Sequence, residues 1–170
     1  QEYYLSASAL YRAFDNLSFS LSTDGSINRM NADLHHFAKP TRYSWLTAVA
    51  GKYVNAWLTL SASVLSTVID EQVAAGSSAG GHRKLSPYVS ASFRPFAGEE
   101  FRVRFFYKDI FRLPSFNDLD YGQTGNIRLK PEQAQQYNLG LTYGKSFYGF
   151  VSSVSATVDA YANRVTDKIV

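Results

Sequence analysis

Residues 53–66 read Tyr-Val-Asn-Ala-Trp-Leu-Thr-Leu-Ser-Ala-Ser-Val-Leu-Ser, and this stretch decides the fold class. Every even position from 54 to 64 is apolar, whereas every odd position from 55 to 63 except Trp57 is polar. A repeat of two residues places the two sets on opposite faces of a β-strand, whereas a helix would scatter both sets around its axis. The stretch is therefore predicted to be a strand with one apolar and one polar face.

The same alternation recurs along the chain and predicts an all-β protein. It is clear at 101–108 (Phe106 being the exception), 136–143 and 153–161, and it is weaker at 3–12, 17–22, 43–50 and 88–93. These patterns indicate about eight strands. Residues 167–170 either extend the last strand or begin a ninth.

The predicted connections alternate in length. Short links are expected near 15–16, 51–52, 95–99 and 145–149, and long ones at 23–42, 70–84 and 113–133. In an up-and-down meander every second connection lies on the same side, so one rim carries tight turns and the other carries long loops. Bacterial outer-membrane barrels show this asymmetry. We therefore predict an antiparallel up-and-down meander of about eight to nine strands that forms part of a transmembrane β-barrel.

The side chains on the two predicted faces also favour a membrane. The apolar rows are rich in Ala, Val and Leu, the polar rows are small, and aromatic residues recur near strand ends, as in the girdles of membrane barrels. Alternation also occurs in half-buried strands of soluble proteins. Two alternatives therefore stay open: a complete eight-stranded outer-membrane barrel with an adhesive or structural role, and a soluble β-sandwich binding module.

Composition excludes several classes of function. The chain has 170 residues, a net charge of +3 and no cysteine. Disulfide scaffolds, zinc–thiolate sites, iron–sulfur clusters and cysteine nucleophiles are therefore excluded. The mild charge and the lack of a basic run do not favour nucleic-acid binding. Because the chain begins at Gln1 without an initiator Met or a signal sequence, we expect a processed or trimmed piece.

The sequence shows no enzymatic or metal site. It has no nucleophile elbow, and no His stands near both a Ser and a carboxylate in a recognisable order, which disfavours an outer-membrane hydrolase. His35 and His36 lie near Asp33, but adjacent residues on a strand point in opposite directions, so we interpret this segment as a solvated loop. His82, among Gly, Ser and Ala, is interpreted as a loop tip. We expect no catalytic residues, metal or cofactor.

Four motifs within 108–140 carry a resemblance to a known family. They are Lys-Asp-Ile-Phe-Arg-Leu-Pro-Ser-Phe-Asn-Asp-Leu at 108–119, Gly-Asn at 125–126, Leu-Lys-Pro-Glu at 129–132 and Tyr-Asn-Leu-Gly at 137–140. In this order and at this separation they resemble the TonB-dependent outer-membrane receptors. The resemblance is sharpest over 86–170, while residues 1–85 match only in strand pattern.

The resemblance implies an active transporter in the outer membrane of a Gram-negative bacterium. Such a receptor binds a scarce nutrient (a siderophore, cobalamin, haem or a glycan) and imports it with energy supplied by TonB. It implies a barrel of about 22 strands closed by an N-terminal plug domain. Its partners would be membrane lipid, the plug, the TonB complex and a small-molecule cargo. Residues 1–170 are then a partial barrel without the plug and the remaining strands, and its open edges are expected to self-associate.

The family motif also suggests candidate site residues. Pro114 and Pro131 cannot donate to a ladder, so they are expected to bracket the loop between two strands. Possible ligand or rim contacts in this loop are Arg112, Pro114, Phe116, Asn117, Asp118, Tyr121, Asn126, Pro131 and Glu132.

A second candidate set is basic. Arg102, Arg104 and Lys108 occupy the predicted lumen face of one strand, where a row of like charges calls for partners. We hypothesise that they pair with plug carboxylates or attract an anionic ligand, with simple hydration as the alternative.

Overall fold

The computed structural model describes residues 1–31, 39–74, 78, 80–96, 98, 100–119, 128–147 and 152–169. Within these ranges the chain forms strands and one helical turn: β1 (Glu2–Phe14), β2 (Leu17–Arg29), β3 (Thr41–Val54), β4 (Leu58–Gln72), β5 (His82–Phe93), β6 (Glu100–Arg112), α1 (Phe116–Leu119), β7 (Glu132–Ser146) and β8 (Ser153–Thr166). No helix in these ranges has the length and hydropathy needed to cross a membrane.

The strands form one 8-stranded antiparallel sheet in the order β1 to β8. Each strand pairs with its neighbours in sequence, which confirms the predicted meander. Within the described residues β1 and β8 do not pair with each other, so the sheet stays open. An open sheet fits a partial barrel and speaks against a complete eight-stranded one.

The turn predicted at 51–52 is wrong. β3 continues through Gly51 and Lys52, and the chain reverses at 55–57 instead. Asn55 Oδ1 accepts hydrogen bonds from the backbone N–H groups of Trp57 (3.0 Å) and Leu58 (2.7 Å). An Asn side chain that bonds the backbone in this way stabilises a turn. The alternation of 53–66 therefore runs across two strands joined by a tight link.

The long connections are shorter than predicted. The connection placed at 23–42 spans 30–40, because β2 continues to Arg29, and the one placed at 70–84 spans 73–81. Polar residues such as Asp24 and Ser26 look like loop residues but pair in register with β3. His82 is likewise the first residue of β5, opposite Ile69, and not a loop tip.

Other connection predictions have different outcomes. The described residues of 167–169 form no strand, and Asp167 has a φ of 52°, so β8 ends at Thr166. The segment with Asp33, His35 and His36 lies outside the described residues.

The predicted asymmetry between the two rims is confirmed: one rim carries the links 30–40, 73–81 and 113–131, and the other carries 15–16, 55–57, 94–99 and 147–152. We call these the long-link rim and the short-link rim.

Burial along β4 is inverted relative to a soluble protein. Leu60, Val64 and Val68 are 39%, 45% and 36% exposed, whereas Thr67 and Glu71 are 6% and 4% exposed. A water-soluble fold buries the apolar row and exposes the polar one. We call the face with Val64 the outer face and the face with Thr67 the inner face. Register extends both faces across the sheet, since Val64 lies opposite Val49 and Pro87.

The sheet has no apolar core between layers. Among the described residues the buried apolar side chains are those of Ile69, Leu119, Pro40 and Pro114. The accessible surface is 12125 Å². A compact protein of this mass exposes about 8,400 Å². The soluble-sandwich alternative requires a second sheet on the apolar rows, and the described residues form only one sheet.

Aromatic side chains of the outer face form two belts. The belt near the long-link rim comprises Tyr3, Tyr43, Trp45, Tyr107 and Tyr137, and the belt near the short-link rim comprises Tyr11, Phe19, Tyr53, Phe101 and Tyr143. From Tyr3 to Tyr11 an extended strand covers about 27 Å. At the tilt of barrel strands this spans about 20 Å of membrane, close to the apolar band of roughly 25 Å in outer-membrane proteins.

Candidate functional site

The connection after β6 carries the family motif. We call residues 113–119 the rim segment. β6 ends at Arg112, Pro114 follows within the rim segment, and β7 begins at Glu132 directly after Pro131. Because proline lacks the N–H that a ladder needs, the two prolines stand where the pairing of β6 with β7 stops. Tyr121 and Asn126 lie outside the described residues, as does the side chain of Asn117.

The rim segment contains a capped helical turn. The Ser115 N–H donates to Asp118 Oδ2 at 2.8 Å, and the Asp118 N–H donates to Ser115 Oγ at 3.2 Å. This reciprocal pair is a capping box with Asp in the place of Glu. The hydrogen bonds from Ser115, the backbone one first, favour the carboxylate and hold the pKa of Asp118 below its ordinary value. The turn ends at Leu119, which is 1% exposed.

Arg42 fastens the rim segment to the inner face. Its Nε and Nη2 donate to Glu71 Oε2 at 2.9 and 2.8 Å, and Nη2 also donates to the Pro114 carbonyl at 2.8 Å. Its guanidinium lies 4.6 Å from the centroid of the Phe116 ring. A planar fork that donates in several directions and stacks on a ring is a property of arginine, which lysine cannot reproduce.

This anchor determines the path of the rim segment. Arg42 of β3 lies directly opposite Glu71 of β4 in the register. The side chains of the pair are 13% and 2% exposed. To reach Arg42 from the end of β6, the rim segment passes over the ends of β5 and β4. It therefore folds inward across the inner face at the long-link rim.

Sequence reasoning missed both members of the anchor. Glu71 falls in a stretch that the pattern interprets as loop, and the pair is separated by 29 residues. Only the register of β3 against β4 brings the two side chains together. A strand-pairing prediction would have found them, because their signal is positional rather than a motif.

Glu132 of the motif has a fastening contact of its own. Its Oε2 accepts a hydrogen bond from the Ile169 backbone N–H at 3.1 Å. Arg112 lies opposite Glu132 in the register of β6 and β7. The motif therefore connects the start of β7 with the segment that follows β8.

The basic row lies on the inner face of β6. Arg102, Arg104 and Lys108 stand opposite Thr142, Gly140 and Gln136 of β7. Within the described residues no hydrogen bond or ion pair engages the side chain of Arg102 or Lys108.

Arg104 has a partner two strands away. It crosses β7 and pairs with Asp159 of β8, with 3.3 Å between Nη2 and Oδ1. The crossing point is Gly140, where an added Cβ would collide with Asp159 Oδ1 and lie 3.1 Å from Arg104 Nη2. Gly140 therefore provides the space for this ion pair. Both side chains are more than two-fifths exposed, at 44% and 43%, so the pair adds little stability.

Across the described part of the chain, no group of three or more His, Asp or Glu side chains is placed to hold a metal ion.

The combination of features defines a class of protein. An open antiparallel meander with an apolar exposed outer face, a polar inner face, two aromatic belts and unequal rims is a section of an outer-membrane barrel wall. The family model described as "TonB dependent receptor-like, beta-barrel" matches residues 41–170, and the chain belongs to this family. No curated protein matches the chain.

The family match settles the coarse function. Receptors of this kind are nutrient transporters of the Gram-negative outer membrane, and the family is not one of enzymes. The match begins at residue 41, where β3 starts. β1 and β2 precede the matched range, yet they continue the same sheet by pairing with β3.

Proposed function

We propose that this chain supplies part of the barrel wall and rim of a receptor that imports a scarce nutrient. The cargo is a siderophore, cobalamin, haem or a glycan, and the TonB complex supplies the energy. The observation that carries this proposal is the family match over 41–170 on a sheet whose apolar rows face outward. The parent protein lies in the outer membrane of a Gram-negative bacterium.

In this function the rim segment forms part of the outer mouth. Residues on long loops held by a rigid scaffold are suited to contact cargo. The anchor Arg42–Glu71 supports this role, because it holds Pro114 and Phe116 over the inner face, where a solute must pass. Cargo contacts are therefore proposed for the motif loop, Tyr121 and Asn126 included.

The basic row faces the plug domain of the parent. Arg102 and Lys108 lie on the inner face, and two cations on one strand repel each other unless something balances them. We assign them plug carboxylates as partners, while Arg104 already pairs with Asp159 of the wall. The open edges of β1 and β8 pair with further strands of the parent or, in the isolated chain, with other copies.

Uptake by the full-length parent tests the proposal. Cells with and without its gene, each with and without TonB, are given labelled ferric siderophore, cobalamin, haem or oligosaccharide. We expect uptake of one of the four to require both the parent protein and TonB. Uptake of all four that is unchanged by deletion of the gene would refute the transport function.

A further inference from the structure

Two adjoining cavities lie on the inner face at the short-link rim. The larger has a volume of about 640 Å³ and is lined by Arg94, Glu100, Arg102, Arg104, Thr142 and Ser155, among others. The smaller, of about 230 Å³, is lined by Asn55, Trp57, Thr59 and Ser92 as well as Arg94 and Arg102. Arg94 and Arg102 therefore belong to both cavities and stand where the two meet.

The described residues that line the larger cavity carry more positive than negative charge. They include three cations, Arg94, Arg102 and Arg104, and one carboxylate, that of Glu100. Arg104 is already paired with Asp159. Glu100 lies over Gly144, where an added Cβ would come within 2.5 Å of its Oε2. Within the described residues, no ion pair or side-chain hydrogen bond engages Arg94 or Arg102.

The lining fits an anion better than any other group. A guanidinium presents a planar fork of donors that matches a carboxylate in two-point hydrogen bonds. The hydroxyl groups of Thr142 and Ser155 add donors. A cation is disfavoured by the excess positive charge, and an apolar group is disfavoured by the polar lining.

We propose that Arg94 and Arg102 bind a carboxylate at the short-link rim of the inner face. The inference rests on the proposed function, in which this face lines the lumen of a transporter. The carboxylate belongs either to an acidic side chain of another segment of the parent polypeptide or to a solute that passes through the lumen. In both cases the two arginines hold it by charge-assisted hydrogen bonds.

The test compares two double variants of the full-length receptor purified in detergent. The first is Arg94→Gln with Arg102→Gln. The control, Arg12→Gln with Lys52→Gln, removes the same charge from the same end of the inner face on β1 and β3. Heat-modifiable mobility in electrophoresis shows that both variants have folded. Citrate binding is then measured by calorimetry at low ionic strength, and thermal unfolding is measured without citrate.

Each outcome either supports or refutes the carboxylate site. If the wild type and the control bind citrate and the Arg94/Arg102 variant binds it about 10-fold more weakly or worse, the site takes a free carboxylate. If the wild type does not bind citrate but the Arg94/Arg102 variant unfolds at a lower temperature than the control, the carboxylate comes from the polypeptide itself. If the two variants agree in both measurements, the site does not exist. Nutrient uptake by the wild type is scored separately, so failure of the transport function is distinguishable from failure of this site.

Discussion

At the scale of single residues, Arg42 contacts three different groups at once. One guanidinium serves a carboxylate, a proline carbonyl and an aromatic ring, and these belong to β4 and to the rim segment. Because the Glu71 side chain is only 2% exposed, water cannot replace what Arg42 provides. The position of the rim segment therefore depends on a residue far from the family motif.

We expect Arg42→Ala to release the rim segment. Loss of hydrogen bonds to a charged, buried partner costs about 1.5–3 kcal/mol. Unfolding by denaturant measures this loss, and limited proteolysis within 113–119 reports the release. Arg42→Lys should behave like Arg42→Ala in the proteolysis, because an ammonium lacks the fork. Arg29→Ala, at an exposed residue near the same rim, is the control, and equal cleavage in both variants would contradict the anchor.

A second prediction concerns Gly140. A glycine is needed here because Asp159 and Arg104 occupy the space that a Cβ would fill, and not because of the backbone conformation. Gly140→Ala should disrupt the pair of Arg104 and Asp159, with a loss of about 0.2–1 kcal/mol, the range of exposed ion pairs. In an Asp159→Ala background the same change should cost less, since no carboxylate then occupies the space. A double-mutant cycle from unfolding curves checks this, and full additivity would show that the glycine serves another purpose.

The pKa of Asp118 gives a pH dependence with a definite sign. The hydrogen bonds from Ser115 hold this pKa below its ordinary value in the folded rim segment. The ordinary value, which applies in the unfolded chain, is about 3.9. The stabilisation is therefore fully present above that pH and is lost as the pH falls through the lowered folded pKa. Ser115→Ala removes only the side-chain hydrogen bond and keeps the backbone donor, so titration of the carboxyl by NMR should show this pKa rising but staying below its ordinary value. An unchanged pKa would exclude the Ser115 side chain as a cause.

At the scale of elements, the weakest joint lies between β5 and β6. Their register runs from Tyr88 opposite Lys108 to Phe93 opposite Val103 and stops there, although both strands continue towards the long-link rim. Pro87, which lacks an N–H, stands where the ladder ends. Beyond it, within the described residues, His82 Nδ1, Ser86 Oγ and Asp109 Oδ1 are buried without a hydrogen-bond partner.

The side chain of Lys84 bridges this seam. Lys84 Nζ of β5 donates to Gln133 Oε1 of β7 at 3.0 Å and lies 3.9 Å from Asp109 Oδ1 of β6. Among the described residues, a side chain therefore makes a contact here where other strand pairs have backbone ladders. Stability is not uniform across a sheet, and segments with few backbone bonds open first.

Hydrogen exchange should locate this seam. We expect the amides of 83–86 that point towards β6 to exchange faster than those of 88–93, because only the latter have a ladder partner. The residues of β4 that pair with β5 at the same height serve as the reference. Equal protection on both sides of Pro87 would mean that the seam is closed in solution.

At this scale the predicted strands can also be compared with the observed ones, which shows how much of the fold the sequence predicts. The alternation in 136–143 and 153–161 predicts strands whose apolar rows do face outward, because lipid and water impose a period of two. The pattern fades at Asp24, Ser26 and Glu71, where strands leave the apolar band, so the predicted strands end too early. The prolines that bound the motif loop are recognisable by their missing donor, whereas Arg42 and Glu71 meet only through register.

At the scale of the whole molecule, the side chains of the outer face indicate which solvent surrounds the sheet. Its Ala, Val and Leu rows are exposed to an extent that water does not tolerate over so large an area. The two faces of one strand can be compared directly, since Ser63 and Val64 are neighbours on opposite faces of β4.

We expect Val64→Arg to hinder folding of the full-length receptor into lipid vesicles by about 2–4 kcal/mol, the cost of a cation near the midplane of the lipid face. Ser63→Arg adds the same side chain to the inner face and should have little effect. Denaturant titrations in vesicles give both values. Equal penalties would mean that the two faces meet the same solvent.

The unequal rims also have an evolutionary consequence. Links as tight as 15–16 and 55–57 leave no freedom for insertions, while those at 73–81 and 113–131 can lengthen without disturbing any strand pair. Among descendants of this gene, differences in length will therefore gather on the side that antibodies and bacteriophages encounter. The surface that antibodies and bacteriophages recognise can therefore change in a lineage while the strands beneath keep their register.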